Sequence, residues 1–380
     1  MNFKKIKLPF RVKNAILAMG GQTKNTLCLT KNNFAYLSYI HRDLDDPSCL
    51  LAFERDIKYL LKCNPQILAY DLHPEYQSTK YVHRLSLPGS ALPASARRKF
   101  SAVQHHHAHI ASCMVENGLK NQKVIGVAFD GTGLGTDDLL WGGEFLICDY
   151  KNFKRKAYLK AVPLLGGERA IREPWRLAAI WLYLVFKDSF LKLNINFTRN
   201  IDIKKWAVLE NMYLNNINSV FASSMGRLFD AAASVILTKN NAAFEAELAI
   251  KLERLALTYR LPVSGYSFKI IQDKNRYILD PAPIFKGIIR DIKKKRSKER
   301  MARRFHVTIG QLIQKICLIL RSENKLNKVV LSGGVFQNKL LVDLTTEFLN
   351  EKGFQVLRHK NLLPNDSSLS LGQAAIANFN

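Results

Sequence analysis

The sequence predicts an α/β protein with two structurally similar halves around a cleft. Short apolar runs typical of strands alternate with helical stretches along the 380 residues. A unit of strand, glycine-rich turn and strand begins at Ile16 and again at Val124, with little residue identity between the two copies. A third buried strand, residues 329–332, also runs into a Gly-Gly turn. The repetition favours a duplicated architecture.

Composition sets the broad class. The length suggests two or three domains. No apolar run reaches the roughly 18–20 residues that a membrane span needs, and the basic N-terminus is not followed by a long apolar core, so we expect neither a membrane anchor nor a secretory signal. The six cysteines are scattered without a CxxC pair, which suits a reducing cytoplasm.

The formal net charge of +26 permits an acidic protein, RNA or an anionic small molecule as partner. The densest basic run, residues 293–304, has no interleaved aromatic side chains. Because aromatic side chains are the usual stacking platforms for single strands, we interpret the run as a solvated helix face. A nucleic acid is therefore not the expected partner, although the net positive charge does not exclude one.

The first half reads as three strands, a helix and a fourth strand. The strands are predicted at 16–19, 26–29 and 34–40, and an amphipathic helix at 50–62. The fourth strand, residues 66–70, is followed by polar residues. In an α/β sheet this end of a strand is where ligands bind.

A histidine-rich helix follows. Four of the nine histidines lie between His105 and His109. In a helix these two residues are about 40° apart on one face, a spacing that lets one helix supply two metal ligands. The other interpretation is a histidine-rich helix face without a metal, and the residues alone leave both open.

The second half is predicted to begin with a strand at 124–129, a glycine turn at 130–137 and a strand at 141–148. Helices are predicted at 175–190, 205–215, from Ser224, 243–259, 305–322, 338–350 and 369–377. The Gly-Gly turn before residue 338 would let backbone N–H groups approach a nucleotide closely, although it is also ordinary turn chemistry.

These motifs together resemble the carboxy-terminal, carbamoyltransferase part of the hydrogenase maturation factor HypF, over about residues 14–378. The matching segments are 24–26 (KNT), 71–76 (DLHPEY), 104–109 (QHHHAH), 130–133 (DGTG), 141–144 (WGGE), 172–176 (REPWR), 224–230 (SMGRLFD), 332–338 (SGGVFQN), 364–366 (PND) and 369–373 (LSLGQ). The resemblance implies a duplicated actin/Hsp70/sugar-kinase fold. We expect a first lobe over 14–120 with the histidine helix, and a second lobe over 121–380 with a helical insertion and the nucleotide loops.

The resemblance also implies a metal at His105, His109, Asp130 and Asp366. Two nitrogen and two oxygen ligands with room for a substrate oxygen suit Fe(II) or Zn(II). Two alternatives stay open: Asp130 braces the glycine turn, or Asp366 caps the helix at 369.

Carbamoyl adenylate is the implied ligand of the cleft. Lys24 and Arg172 are candidates to stabilise negative charge during acyl transfer, or else a surface cation and a structural ion pair. His73 is expected to be a hydrogen-bonded structural histidine, and no cysteine is expected to form a covalent intermediate. The residues expected to contact the nucleotide are Gly131, Thr132, Gly133, Gly226, Asp230, Glu245, Gly333, Gly334 and Asn338.

Three departures from the family pattern stand out. Ser367-Ser368 replaces Gly-Gly, Arg42 replaces a glycine, and residues 244–247 replace a Tyr-Glu-Gly-Gln-like run. The family's upstream acylphosphatase, zinc-finger and adenylate-forming domains are absent from this sequence. We therefore expect a separate protein or domain to supply carbamoyl adenylate.

The expected function is carbamoyl transfer to the C-terminal cysteine thiol of a HypE-like partner in NiFe hydrogenase maturation. One alternative is O-carbamoylation of a small molecule, and the threonylcarbamoyl route to tRNA is a more distant one. A non-catalytic nucleotide-binding scaffold is the third, motivated by the serine replacement and the missing domains.

Overall fold

The computed structural model describes residues 3–87 and 98–380, in which two sheets repeat one strand order. The first sheet has the order β1-β4-β3-β2-β5-β6, antiparallel from β1 to β2 and parallel from β2 to β6. Its strands are β1 (Lys4–Lys7), β2 (Ile16–Ala18), β3 (Cys28–Lys31), β4 (Phe34–Leu37), β5 (Ile67–Asp71) and β6 (Lys99–Val103).

The second sheet has the order β12-β13-β9-β8-β7-β14-β15, and β11 pairs with both β8 and β10. Its β9-β8-β7-β14-β15 part has the same antiparallel and parallel pairings as β4-β3-β2-β5-β6. The predicted duplication is therefore confirmed. The strands are β7 (Val124–Leu134), β8 (Leu140–Cys148), β9 (Phe153–Leu159), β10 (Val162–Leu165), β11 (Ser219–Ser224), β12 (Lys269–Asp273), β13 (Arg276–Asp280), β14 (Lys328–Ser332) and β15 (Gln355–Leu357).

Thirteen α-helices occur in the described ranges, and local sequence explains several of their ends. Asp46 caps α1 by accepting from Ser48 N at 2.8 Å, and Ser224 caps α8 by accepting from Arg227 N at 3.1 Å. The helices are α1 (Pro47–Leu61), α2 (Gln77–Ser86), α3 (His105–Glu116), α4 (Arg169–Arg172), α5 (Trp175–Phe186), α6 (Asn196–Arg199), α7 (Ile203–Leu214), α8 (Met225–Leu237), α9 (Glu247–Thr258), α10 (Ala282–Lys293), α11 (Lys298–Asn324), α12 (Lys339–Glu351) and α13 (Leu369–Phe379).

Helices α3 and α13 lie between the two sheets. Their apolar side chains share one buried cluster with Ala18 and Ala69 of the first sheet and with Leu146 and Val330 of the second. The two helices cross closely, since a Cβ atom on Gly372 would lie 1.8 Å from the Ala108 carbonyl oxygen. The histidine helix is thus fixed at the centre of the molecule. The division into lobes at residues 120 and 121 stays a prediction, because both sheets share this core.

Several predicted elements differ from the structure: the helix predicted at 305–322 begins at Lys298, and the helix predicted at 175–190 ends at Phe186. The glycine-rich segment after residue 129 is not a free turn, because β7 continues to Leu134 and only its register shifts between Phe129 and Gly133. The helix predicted at 243–259 begins at Glu247, because Ala246 has a left-handed backbone with φ 62°. In the two described ranges no helix combines the length and apolarity needed to cross a bilayer.

Candidate metal centre and nucleotide cleft

Four side chains from three parts of the chain meet beside α3. Asp130 Oδ2 lies 3.3 Å from His105 Nε2 and 3.2 Å from His109 Nε2. Asp366 Oδ1 lies 3.7 Å from the first of these nitrogens and 3.4 Å from the second. One ligand atom from each residue lies within 4.8 Å of the other three. The structure thus brings together the four residues that the resemblance implied.

The four nitrogen–oxygen spacings are compatible with ligands of one small ion. Atoms at the corners of a tetrahedron about 2.0–2.2 Å from a central metal are roughly 3.3–3.6 Å from one another. The measured separations between nitrogen and oxygen atoms, from 3.2 to 3.7 Å, fall around that value. The mixed nitrogen and oxygen set suits Zn(II) or Fe(II). The residues present therefore fit a divalent metal.

Asp71, which sequence reasoning did not select, orients one of the histidines. It ends strand β5, and its Oδ2 accepts from His105 Nδ1 at 2.8 Å. If a metal were bound, a proton held on Nδ1 would leave Nε2 to coordinate it, as in carboxylate–histidine–metal triads; without one, Nε2 donates to Asp130. His109 Nδ1 is buried and has no hydrogen-bond partner in the described ranges. The strand-end position of Asp71 was the available sequence signal.

Electrostatics shows how strongly the cluster attracts positive charge. Burial opposes charge on His105, but Asp71 and then Asp130 outweigh it and raise the pKa of His105 well above its usual value. Burial also opposes charge on His109, but hydrogen bonds to Asp130 and Asp366 outweigh it and raise the pKa of His109. Burial alone would raise the pKa of Asp130, yet hydrogen bonds from the two histidines hold it well below its usual value. Protons or a metal ion both satisfy these carboxylates.

The geometry also bears on the two alternative roles, in which Asp130 braces the glycine turn and Asp366 caps the helix at 369. Asp130 braces a glycine turn, but the turn is that of Gly334, whose N–H donates to Asp130 Oδ1 at 2.9 Å while Oδ2 faces the histidines. Asp366 is not the cap of α13. The carboxamide oxygen of Asn365 accepts from Ser367 N instead, which leaves the Asp366 carboxylate free to face the cluster.

The remaining histidines of the run point elsewhere, as the helical spacing predicted. His106 accepts at Nδ1 from Gln104 at 3.2 Å, and burial lowers its pKa well below the usual value. His107 donates to the Asp149 carbonyl oxygen at 2.6 Å, and burial lowers its pKa to about 4. Gly133 lies against this helix, where a Cβ atom would come within 2.7 Å of the His105 ring. A larger residue there would displace the His105 imidazole from Asp130 and Asp366.

A second group of predicted residues lines the side of the glycine loops away from α3. Arg227 Nη2 lies 3.2 Å from Asp230 Oδ2 and 3.5 Å from Glu245 Oε1. Gly131 and Gly226 pack against these groups, since Cβ atoms on them would meet Glu245 Oε1 at 3.0 Å and the Asp130 carbonyl oxygen at 3.1 Å. Burial raises the pKa of Asp230. Sequence reasoning did not select Arg227, although it lies in the SMGRLFD motif.

The Ser-Gly-Gly turn needs its first glycine. Gly333 has φ 105°, and a Cβ atom there would lie 2.2 Å from the Phe129 carbonyl oxygen. Asn338 caps α12 with its Oδ1 and donates from Nδ2 to His306 Nε2 at 2.9 Å. Thr132 is half-buried next to the glycine turn. The roles of these residues toward a nucleotide remain predictions.

The predicted cations lie at the surface. Arg172 donates from Nη1 to the Ala243 carbonyl oxygen at 2.7 Å, so it ties down the segment before α9. Lys24 is exposed on the loop whose Gly21 lies against Asp366. His73 stacks on Tyr76 with ring centroids 4.3 Å apart, and the Tyr76 ring lies edge-on to His105 at 6.5 Å.

The three departures have different structural costs. Arg42 and Ala246 have left-handed backbones, with φ 61° and 62°, at positions where the family pattern has glycine. A side chain in this conformation costs roughly 1–2 kcal/mol. Ser367 and Ser368 do not have positive φ, and their hydroxyls donate to Asn365 at 2.7 and 3.1 Å. The serine pair therefore fits this loop without backbone strain.

Two family models and two solved structures, all of HypF proteins or their domains, match this chain. The family model described as "HypF Kae1-like domain" matches residues 11–116, and the one described as "Carbamoyltransferase, Kae1-like Domain, second subdomain" matches residues 126–373. Among solved structures, a full-length HypF in a phosphate- and nucleotide-bound form matches with a TM-score of 0.90 at 38% identity, over 98% of this chain and 47% of that one. The HypF of T. kodakarensis matches with a TM-score of 0.86 at 26% identity, over 99% and 49%.

The chain belongs to the HypF carbamoyltransferase family. It is 34% identical to the carbamoyltransferase HypF of Synechocystis sp., over 97% of this chain and 48% of that protein. It is 33% identical to a carbamoyltransferase HypF homolog of Cupriavidus necator, over 95% and 91%. The predicted actin/Hsp70-like fold is confirmed. The chain spans about half the length of several of the HypF proteins it matches.

Proposed function

We propose that this chain is a carbamoyltransferase that uses a divalent metal at His105, His109, Asp130 and Asp366. The observation that carries the proposal is the convergence of four ligand atoms within 4.8 Å, with His105 oriented by Asp71. The family assignment supports the reaction class, because the relatives are named carbamoyltransferases. When bound, Fe(II) or Zn(II) supplies Lewis acidity toward the carbamoyl carbonyl or its phosphate.

The substrate that fits this site is carbamoyl adenylate. The N–H groups of Gly333 and Gly334 donate within the protein, to Pro364 and Asp130, so residues 131–133 are the glycine segment proposed to meet a phosphate or ribose. Arg227, Asp230 and Glu245 form the polar wall of the cleft toward the adenosine. The nucleotide-bound form of a HypF structure at 38% identity supports a nucleotide here.

The protein residues position the metal and the substrate and neutralise negative charge, and none of them acts as a nucleophile. With a metal bound, Asp71 would hold the remaining proton of His105 on Nδ1 and leave Nε2 to coordinate the ion. Lys24 and Arg172 supply positive charge for the developing phosphate charge, and Asn338 fixes the start of α12 beside the glycine loop. No enzyme thiol is needed. Four cysteines are buried, and burial raises the pKa of Cys28 to about 12.

The proposed acceptor is the C-terminal cysteine thiol of a HypE-like partner in NiFe hydrogenase maturation in the cytoplasm. A separate protein or domain would supply carbamoyl adenylate.

The test supplies purified protein with Zn(II) or Fe(II), carbamoyl adenylate and a peptide that ends in cysteine. Mass spectrometry should show one carbamoyl group on the peptide thiol, and none with the double variant His105→Ala, His109→Ala. Transfer to a small-molecule hydroxyl alone would reassign the acceptor. Equal transfer by the double variant would refute the metal-dependent reaction.

A further inference from the structure

Three buried side chains outside the metal cluster join distant segments of the chain. Ser332 Oγ lies 3.0 Å from His359 Nε2, and His359 Nδ1 lies 2.6 Å from Glu116 Oε2. The side chains of His359 and Glu116 are 3% and 6% exposed, and Ser332 is fully buried. We call Glu116, His359 and Ser332 the side-chain bridge. None of the roles assigned above uses it.

The order serine, histidine, carboxylate is also that of a hydrolytic triad, but the surroundings exclude that role. A nucleophilic hydroxyl must meet its substrate. Ser332 has no exposed surface, and the neighbouring cavity of about 380 Å³ is lined by His359 but not by Ser332. The role of the side-chain bridge is therefore structural: it links segments of the protein.

Glu116 binds more than the histidine. Its Oε1 accepts from the backbone N–H groups of Lys360, Asn361 and Leu362 at 3.1, 2.5 and 2.9 Å. Burial alone would raise the pKa of Glu116, but His359 and these amides lower it to about 2. An ionised carboxylate with four donors is a strong anchor, because such bonds are charge-assisted.

Each segment that the bridge joins carries or holds a metal ligand. Glu116 is the last residue of α3, the helix of His105 and His109. The anchored segment 360–362 runs through Pro364, whose carbonyl oxygen accepts from Gly333 N at 2.9 Å, to Asp366. Ser332 directly precedes the two glycines whose turn holds Asp130 through Gly334 N. All four ligands are thereby connected to the bridge.

We propose that Glu116, His359 and Ser332 are positioning residues, which hold α3, the Asp366 loop and the Gly333-Gly334 turn at the separation that a metal ion requires. This inference rests on the proposed metal site. It predicts that breaking the bridge widens the cluster without removing a ligand.

The hydrogen-bond directions make each link specific. Burial lowers the pKa of His359 against the opposing effect of Glu116, so the ring is neutral near pH 7. Nδ1–H then donates to Glu116, and Nε2 accepts from the Ser332 hydroxyl. A methyl group at position 332 removes one link, and a phenyl ring at position 359 removes both.

The test compares Ser332→Ala and His359→Phe with Ser234→Ala. Ser234 is a matched control, because it is also fully buried and donates to a backbone carbonyl, that of Lys239, at 2.7 Å. Co(II) titration reports affinity, and its visible absorption reports coordination geometry. His359→Phe should lower affinity about tenfold, the lower end of the effect of outer partners of metal ligands. Its Co(II) spectrum should change, while Ser332→Ala shows a smaller loss and Ser234→Ala none.

Hydrogen exchange of the metal-free proteins separates this inference from the proposed function. Amides of residues 359–368 should exchange at least tenfold faster in His359→Phe than in the wild type. In Ser234→Ala the exchange rates of these amides should equal those of the wild type. If the wild type binds no metal but the exchange rates rise, the proposed function fails and the bridge stands as a structural link only, which overturns its positioning role. Equal affinity, spectrum and exchange in a folded His359→Phe would overturn the bridge alone.

Discussion

The metal cluster and the group of Arg227, Asp230 and Glu245, which we call the nucleotide wall, both bring opposite charges together, but they are completed in different ways. In the metal cluster Asp130 and Asp366 face both histidines, and Asp71 binds His105 from the other side of its ring. In the nucleotide wall the Nε and Nη1 atoms of Arg227 have no hydrogen-bond partner in the described ranges, and Asp230 Oδ2 has the ion pair with Arg227 Nη2 at 3.2 Å but no hydrogen bond. Buried polar groups are normally satisfied. Within the metal cluster His109 Nδ1 is the buried atom without a partner in the described ranges, whereas Arg227 alone keeps two unpaired donors.

The largest effect should come from removing both metal histidines. The double variant His105→Ala, His109→Ala leaves only two carboxylates, and we expect a loss of Zn(II) affinity larger than the 10- to 100-fold typical of outer partners. Calorimetric titration measures it. His83→Ala, an exposed histidine on α2, is the control and should bind normally. Normal binding by the double variant would place the metal elsewhere.

Removing the orienting carboxylate should have a smaller effect. Asp71→Asn removes the charge that holds His105 Nδ1–H, and we expect about 10- to 100-fold weaker Zn(II) binding. Asp343→Asn, on the exposed face of α12, should leave affinity unchanged. Wild-type affinity in Asp71→Asn would show that the cluster is not preorganised by this residue.

A substitution in the nucleotide wall should weaken nucleotide binding without changing metal binding. AMP at about 100 times its dissociation constant should stabilise the wild type by roughly 2.7 kcal/mol. Arg227→Gln removes the cation between Asp230 and Glu245, so this stabilisation should disappear while Zn(II) affinity stays within about twofold. Thermal unfolding with and without AMP measures it. Unchanged stabilisation by AMP would remove Arg227 from the nucleotide site.

The metal-free protein should lose stability as the pH rises above neutrality. The pKa of His105 is raised by Asp71 and Asp130 despite burial, so the folded state keeps a proton that the unfolded chain loses near pH 6.5. This stability is full below that pH and falls as the pH passes through the raised pKa, with a slope of up to about 1.4 kcal/mol per pH unit. Urea unfolding at pH 6, 7 and 8 measures it. A flat profile in the metal-free protein would show that the cluster does not hold this proton.

The smallest effect concerns backbone strain. Ala246→Gly places glycine at φ 62°, which should stabilise the protein by about 0–1 kcal/mol, because relief of strain is partly offset by glycine entropy. Ala249→Gly, inside α9, is the control and should destabilise by about 1 kcal/mol. Strong destabilisation by Ala246→Gly would show that the left-handed conformation carries no strain.

Sequence reasoning found the parts of the site that local spacing encodes. The i, i+4 spacing identified His105 and His109, and the family resemblance supplied Asp130 and Asp366. Asp71 was not selected, because a strand end indicates a ligand-binding edge but not which side chain faces a histidine on another element. The side-chain bridge had no local signal, since its residues lie on three separate segments.

Metal content tests the central claim most directly. The protein should be purified without chelators, exchanged into Co(II) and measured by elemental analysis and visible absorption. We predict one divalent ion per chain with a tetrahedral Co(II) spectrum, and the loss of both in His105→Ala, His109→Ala. A folded wild-type protein that takes up no Zn(II), Fe(II) or Co(II) would contradict the account.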